Sequence, residues 1–207
     1  MTDTGVLAGT GTVDLTLEDR VLDAVKACCE RWGMAKVTIE DIAAEAGTSR
    51  ATVYRLFPGG KDNIYEALRQ RESRDFFSEL NSHLAEANGY EDLLVRGVVA
   101  ATQALRADEH LQLMLASQPG EVLADMTIDG LPRIFDSASL FLTPWFAPHI
   151  GHERSAALAE WLARVVLSYF FSPSRFVDLG DPDSAKEFIE QFVLPAFPPH
   201  SHRGTPA

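Results

Sequence analysis

Ser49, Arg50, Thr52, Tyr54, Arg55 and Lys61 fall within one short stretch of the chain. Their hydroxyls, phenol, guanidinium groups and ammonium are donors suited to phosphate oxygens and to base edges in a nucleic-acid groove. Helical spacing places Ser49, Arg50, Thr52, Tyr54 and Arg55 outward, while Ala51, Val53, Leu56 and Phe57 pack inward. Arg50, Thr52, Tyr54 and Arg55 are the candidates for base or phosphate contact. Thr38, Thr48 and Lys61 are the candidates to position a nucleic-acid backbone instead, while the periodicity alone equally fits an ordinary packed helix pair.

Two short helices joined by a glycine turn, over residues 38–57, must hold these side chains. Thr38 followed three residues later by Asp41 is a capping-box signal that starts the first helix. Ile39, Ile42, Ala43 and Ala46 then recur at three- and four-residue intervals, leaving Glu40, Asp41 and Glu45 on the wetter face. Gly47 supplies the left-handed residue that ends this helix, and Ser49 caps the next. Upstream, Thr16 and Asp19 repeat the start signal. Val21, Leu22, Val25, Cys28, Cys29 and Trp32 follow at helical spacing as far as Gly33, with Trp32 expected as the largest buried contribution.

Residues 17–65 resemble the N-terminal domain of the TetR (tetracycline-repressor) family of bacterial transcription regulators. The agreement lies at Val21, Leu22, Ala24, Gly33, Thr38, Ile42, Ala43, Ala46, Gly47, Ser49, Thr52, Tyr54, Phe57 and Lys61. The resemblance implies an all-α protein: a three-helix DNA-binding head at residues 16–60, with its helix-turn-helix at 38–57, and a larger helical ligand-binding and dimerisation domain at 61–197. It further implies that Lys61 and the first turn of its helix approach the DNA backbone, although a solvated surface lysine fits the residue type equally well. Asp14, Glu18 and Asp19 stand where the family often has a basic arm.

The 207-residue chain is 46% apolar, enough for a substantial core, and carries a net charge of −12. That charge is uneven: residues 15–75 hold 10 basic and 11 acidic side chains, whereas residues 76–207 hold 8 and 17. Phosphate contact depends on local charge, because the Debye length is about 8 Å at physiological salt. The motif, and not the charge, therefore carries the nucleic-acid reading. The apolar run at residues 165–171 is far shorter than the roughly 18 residues of a membrane span. Residues 1–15 read as a flexible tail without signal-peptide character, as do residues 198–207, so a cytoplasmic protein with no membrane partner is expected. Adjacent cysteines at 28 and 29 offer no disulfide framework and read as small core residues.

Residues 61 onwards read as helices: one bearing Ile64, Leu68, Phe76, Phe77 and Leu80, then 90–105, 109–116, 131–146, 153–171 and a last one restarted by Asp181-Pro182. Pro119-Gly120 and Asp129-Gly130 are breaks, and Pro144 is expected to kink or end the fourth of these helices. Aromatic crowding in this part suits either core packing or the wall of a pocket for an apolar or aromatic effector. The candidate ligand residues are Arg96, Phe135, Phe141, Trp145, Trp161 and Tyr169, with Arg96, Arg133 or Arg164 available to an anionic group. By resemblance, the last two long helices pair with those of a second subunit, through Leu158, Arg164, Val165, Phe188 and Phe192.

His149 and His152 form an HxxH pair with few acids nearby, a poor metal site, and no cofactor is expected. No phosphate loop, nucleophile elbow or catalytic pair supports an enzyme. The sequence thus points to a homodimeric, ligand-responsive regulator, most simply a repressor, whose partners are a double-stranded inverted-repeat operator and a small-molecule effector. The alternative is a helical ligand-binding or interaction protein that keeps the head but binds DNA weakly.

Overall fold

Two threonine-led capping boxes set the starts of the first helices in the computed structural model of the chain, which describes residues 16–117, 120 and 130–200. The Thr16 hydroxyl accepts the Asp19 N–H at 3.1 Å while the Asp19 carboxylate accepts the Thr16 N–H, opening α1 (Leu17–Trp32). Thr38 and Asp41 make the same reciprocal pair at the start of α2 (Ile39–Glu45). Two otherwise orphaned donors are satisfied each time, so neither helix needs outside help to begin. Residues 1–15, Pro119, Asp129 and residues 201–207, on which the tail and two break expectations fall, lie outside the described residues.

The turn after α2 depends on Gly47, whose φ of +63° places it in the left-handed region, with open space where a Cβ would sit. Backbone conformation, and not crowding, therefore requires glycine here. The Thr48 N–H closes onto the Ala43 carbonyl at 2.9 Å, a Schellman-type ending. Ser49 then caps α3 (Arg50–Leu56) by accepting the Thr52 N–H at 3.1 Å. Ile39, Ile42, Ala43, Ala46, Val53 and Phe57 are buried together with Val21, Leu22, Val25, Cys28 and Cys29. Ile64 and Leu68, from the first turns of α4 (Lys61–Ala85), complete this core. The head is thus one compact unit ending at Leu68, beyond residue 60 where the sequence places its boundary, because those two side chains belong to its interior.

Two expectations fail within the head. Ala51 is exposed, since it lies about 200° around α3 from Val53 at 3.6 residues per turn. Trp32 is 43% exposed because it is the last residue of α1; Val37 and Met34, after the Gly33 turn, fill the space. Its ring instead carries the Arg31 guanidinium at 5.6 Å.

The second unit, residues 69–207, contains the rest of α4 with α5 (Tyr90–Ala107), α6 (Glu109–Ser117), α7 (Leu131–Ile150), α8 (His152–Phe171) and α9 (Pro182–Phe188). A π-helical turn (Ile189–Val193) extends α9. α7 and α8 form a hairpin about Gly151 and bury Ala138, Leu142, Phe146, Leu158, Leu162 and Val166 against Leu84, Leu94, Val98 and Ile189. α7 does not end at Pro144. The carbonyls that Pro144 and Pro148 leave without an N–H partner belong to Leu140 and Pro144, which form an exposed ridge where water can satisfy them. The π turn also changes the last apolar stripe. Its Leu194 N–H to Ile189 carbonyl bond turns Ile189 and Val193 inward but leaves Phe192 51% exposed and Ala196 outside. Among the described residues every regular element is helical, and no helix is long and apolar enough to cross a membrane.

Candidate nucleic-acid interface

Val53 and Phe57, four residues apart, hold α3 to the head, so the opposite side of the helix faces outward. Arg55 lies on that side and Tyr54 on its flank, both exposed, Tyr54 by 45%; Arg50, only about 60° around the helix from Val53, is exposed at the start of α3. Ser49 is exposed and Thr52 half-buried, with their hydroxyl oxygens 3.0 Å apart, so each is largely engaged by the other and by the helix cap. Thr38 is likewise committed to its capping box, and Thr48 is half-buried in the turn. The side chains with donors presented outward are therefore Arg50, Tyr54 and Arg55.

Arg50 has a partner that helix periodicity did not reveal. Its Nη1 lies 2.7 Å from Oε1 of Glu40, in the first turn of α2, with both side chains more than half exposed. A second cross-helix pair supports the same scaffold: Arg31 at the end of α1 donates through both terminal nitrogens to the Glu45 carboxylate at 2.8 and 3.0 Å. Such fork-to-carboxylate geometry fixes direction more firmly than a lysine contact. Glu40 and Glu45 had only a solvated face to their credit in the sequence, and only contact between helices distinguishes them.

Lys61 is half-buried. Its ammonium lies 3.5 Å from the Met34 carbonyl and 5.6 Å from the Tyr65 ring centre, while the Tyr65 hydroxyl donates to the same carbonyl at 3.0 Å. The first turns of α4 thus grip the loop between α1 and α2. The Thr38 hydrogen bonds hold the Asp41 carboxyl below its ordinary range. Cys28 and Cys29 are buried; burial, reinforced by Glu45 and Asp41, pushes the Cys28 thiol up, and the Cys29 thiol points to the Tyr65 hydroxyl at 3.8 Å. Those are the surroundings of inert packing thiols.

The effector residues expected from sequence are spread over the second unit. Phe77 stacks on Phe141 at 4.8 Å, and the Trp145 indole donates to Asn81 at 2.8 Å. Trp161 lies 6.3 Å from Phe197, and Tyr169 meets Phe188 edge-on at 5.8 Å. Arg96 pairs with Asp92 and Glu86. Phe135 lies under the Arg164 guanidinium at 4.0 Å and lines an open cleft of about 330 Å³ with Leu131, Pro132, Asp136, Glu160 and Arg164. Arg164 is also 2.6 Å from Glu160. Of the residues expected at a subunit interface, Leu158 and Phe188 are buried within the subunit, Val165 is half-buried, and Arg164 and Phe192 are exposed. His149 packs on Tyr90 at 5.1 Å, and the described residues contain no cluster of metal-ligating side chains.

Residues 21–68 match the family model for bacterial regulatory proteins of the tetR family. An uncharacterised HTH-type transcriptional regulator of Mycobacterium tuberculosis is 24% identical over 186 residues, which is 88% of this chain and 86% of that protein. In fold, the chain is similar to the TetR family repressor AlkX from Dietzia sp., with a TM-score of 0.63 and 22% identity over 88% of this chain and 95% of that one. It is also similar to the fatty acid degradation regulator FadR from Bacillus halodurans, with a TM-score of 0.57 and 17% identity over 85% and 95%. The capped helix-turn-helix with its exposed donors thus lies in a head, residues 21–68, that is a tetR-family DNA-binding domain, on a chain whose fold is similar to TetR-family regulators over most of its length.

Proposed function

We propose that the chain is a homodimeric repressor that reads an inverted-repeat operator, each subunit laying α3 in a major groove, and that a small apolar or aromatic effector releases it. The observation that carries the DNA reading is the exposure of Arg50, Tyr54 and Arg55 on a short capped helix that Val53 and Phe57 anchor to the head. In a helix-turn-helix the second helix meets base edges, and dimer symmetry is mirrored in the half-sites. Effector release needs only that the ligand bind the DNA-incompetent state more tightly; operator DNA must then weaken ligand binding by the same factor. The open cleft where Phe135 and Leu131 lie beside Arg164, Glu160 and Asp136 supports an effector with an apolar body carrying a polar group.

Selection of bound fragments from random DNA, followed by anisotropy titration, tests this reading. The double variant Tyr54→Ala/Arg55→Ala is expected to lose about 10- to 100-fold in operator affinity while keeping its helical content. Wild-type affinity in that variant overturns the assignment of α3. The second reading, a ligand-binding or interaction protein with weak DNA affinity, is favoured by the near balance of charge in the head and by Glu40 beside Arg50. Salt separates the two, since an operator complex must weaken steeply as salt rises.

A further inference from the structure

We infer that Arg50, held by Glu40, reads one guanine in each half-site, and that Glu40 is the residue that positions it. This rests on the DNA-binding role of α3 proposed above. Among the polar side chains of α3 and its cap, the Ser49 and Thr52 hydroxyls are taken up by the cap and by each other, and Tyr54 offers a single phenol. Arg50 and Arg55 are the two exposed side chains of α3 that present a planar fork, and a fork donates to O6 and N7 of guanine together. Arg50 occupies the first turn of α3, the end that meets base edges in this motif, whereas Arg55 lies in its last turn.

The ion pair favours base reading over phosphate clamping. Glu40 Oε1 sits 2.7 Å from Nη1 of Arg50, which leaves the Nε and Nη2 edge of the guanidinium for two parallel bonds. Tethering also removes rotamer freedom that an unpartnered arginine would lose on binding. The carboxylate cancels most of the long-range attraction between Arg50 and a phosphate and repels the phosphate itself. A guanine edge, recognised by hydrogen-bond geometry, tolerates that neighbour.

Fragment selection and salt-dependent anisotropy on the full-length chain, comparing wild type with Arg50→Ala, Arg50→Lys and Glu40→Gln, test the inference. Both positions are more than half exposed, and far-UV circular dichroism reports whether the variants stay folded. Wild type is expected to demand guanine at one position per half-site. Arg50→Ala should lose about 5- to 150-fold of discrimination at that position alone, with the salt slope unchanged. Arg50→Lys should fail to restore it, because an ammonium has no fork. Glu40→Gln should blur the same position while tightening binding to random DNA. A uniform loss across all sequences in Arg50→Ala, with a salt slope lower by about one, makes Arg50 a phosphate contact and overturns the inference alone. An unchanged preference in Glu40→Gln overturns the positioning role. A wild-type chain that enriches no sequence overturns the DNA reading with it.

Discussion

Replacing Tyr90 with phenylalanine should stabilise this protein. Tyr90 opens α5 and is only 7% exposed, and its hydroxyl is buried without a hydrogen-bond partner. An unsatisfied buried hydroxyl costs about 1–3 kcal/mol, and phenylalanine keeps the ring that packs on His149 while removing the cost. Allowing for local relaxation, Tyr90→Phe is expected to raise unfolding free energy by about 1 kcal/mol at pH 7. The gain should depend on pH. Burial pushes the Tyr90 phenol up to about 12, against the nearby charge of Arg154, which pulls the other way. An unfolded phenol titrates near 10, so the native state favours the protonated form. The stability this contributes is complete below pH 10 and is lost as pH rises from 10 to 12. Between pH 8 and pH 10.5 the advantage of Tyr90→Phe over wild type should therefore grow by roughly 0.5–1 kcal/mol, after discounting for partial solvent screening. Urea titrations of both proteins at equal concentration, followed by circular dichroism, measure it as a shift in midpoint at constant slope. Effects of pH on the rest of the chain are common to both proteins and cancel in the difference. A loss of 1 kcal/mol or more at pH 7 would show that the hydroxyl has a partner and would refute the reasoning.

Two further outcomes are expected. Cys28 and Cys29 should resist a thiol reagent at pH 7.5 in the folded chain and both react in guanidinium chloride, because they are buried in the head and the Cys28 thiol is pushed up; rapid native labelling would contradict this. If the exposed face of the last helix joins two subunits, Phe192→Asp should convert a dimer into a monomer in sedimentation at micromolar concentration. An unchanged mass would place the interface elsewhere.

The sequence by itself determined the parts of the head whose causes are local. Thr16 with Asp19, Thr38 with Asp41, and Ser49 with Thr52 each satisfy donors three residues away, and Gly47 meets a backbone requirement of its own. These interactions span less than one helical turn, so residue type and spacing suffice to foresee them. Apolar periodicity likewise marked Ile39, Ile42, Ala43, Ala46, Val53 and Phe57 as buried. Periodicity assigns a side chain to a face without saying what meets that face. Trp32 and Phe192 have the right spacing for burial and are nevertheless exposed, one because its helix stops and the other because a π turn changes the register. Pro144 reads as a kink or an end of its helix, but the helix runs on to Ile150, because the carbonyl that Pro144 leaves unpaired lies on an exposed ridge open to water. Tertiary structure alone decided that Glu40 meets Arg50 and Glu45 meets Arg31, and that Tyr65 and Lys61 share the Met34 carbonyl. Each of those contacts joins residues 10 or more positions apart, on different elements, and so depends on how helices pack rather than on the pattern within any one of them.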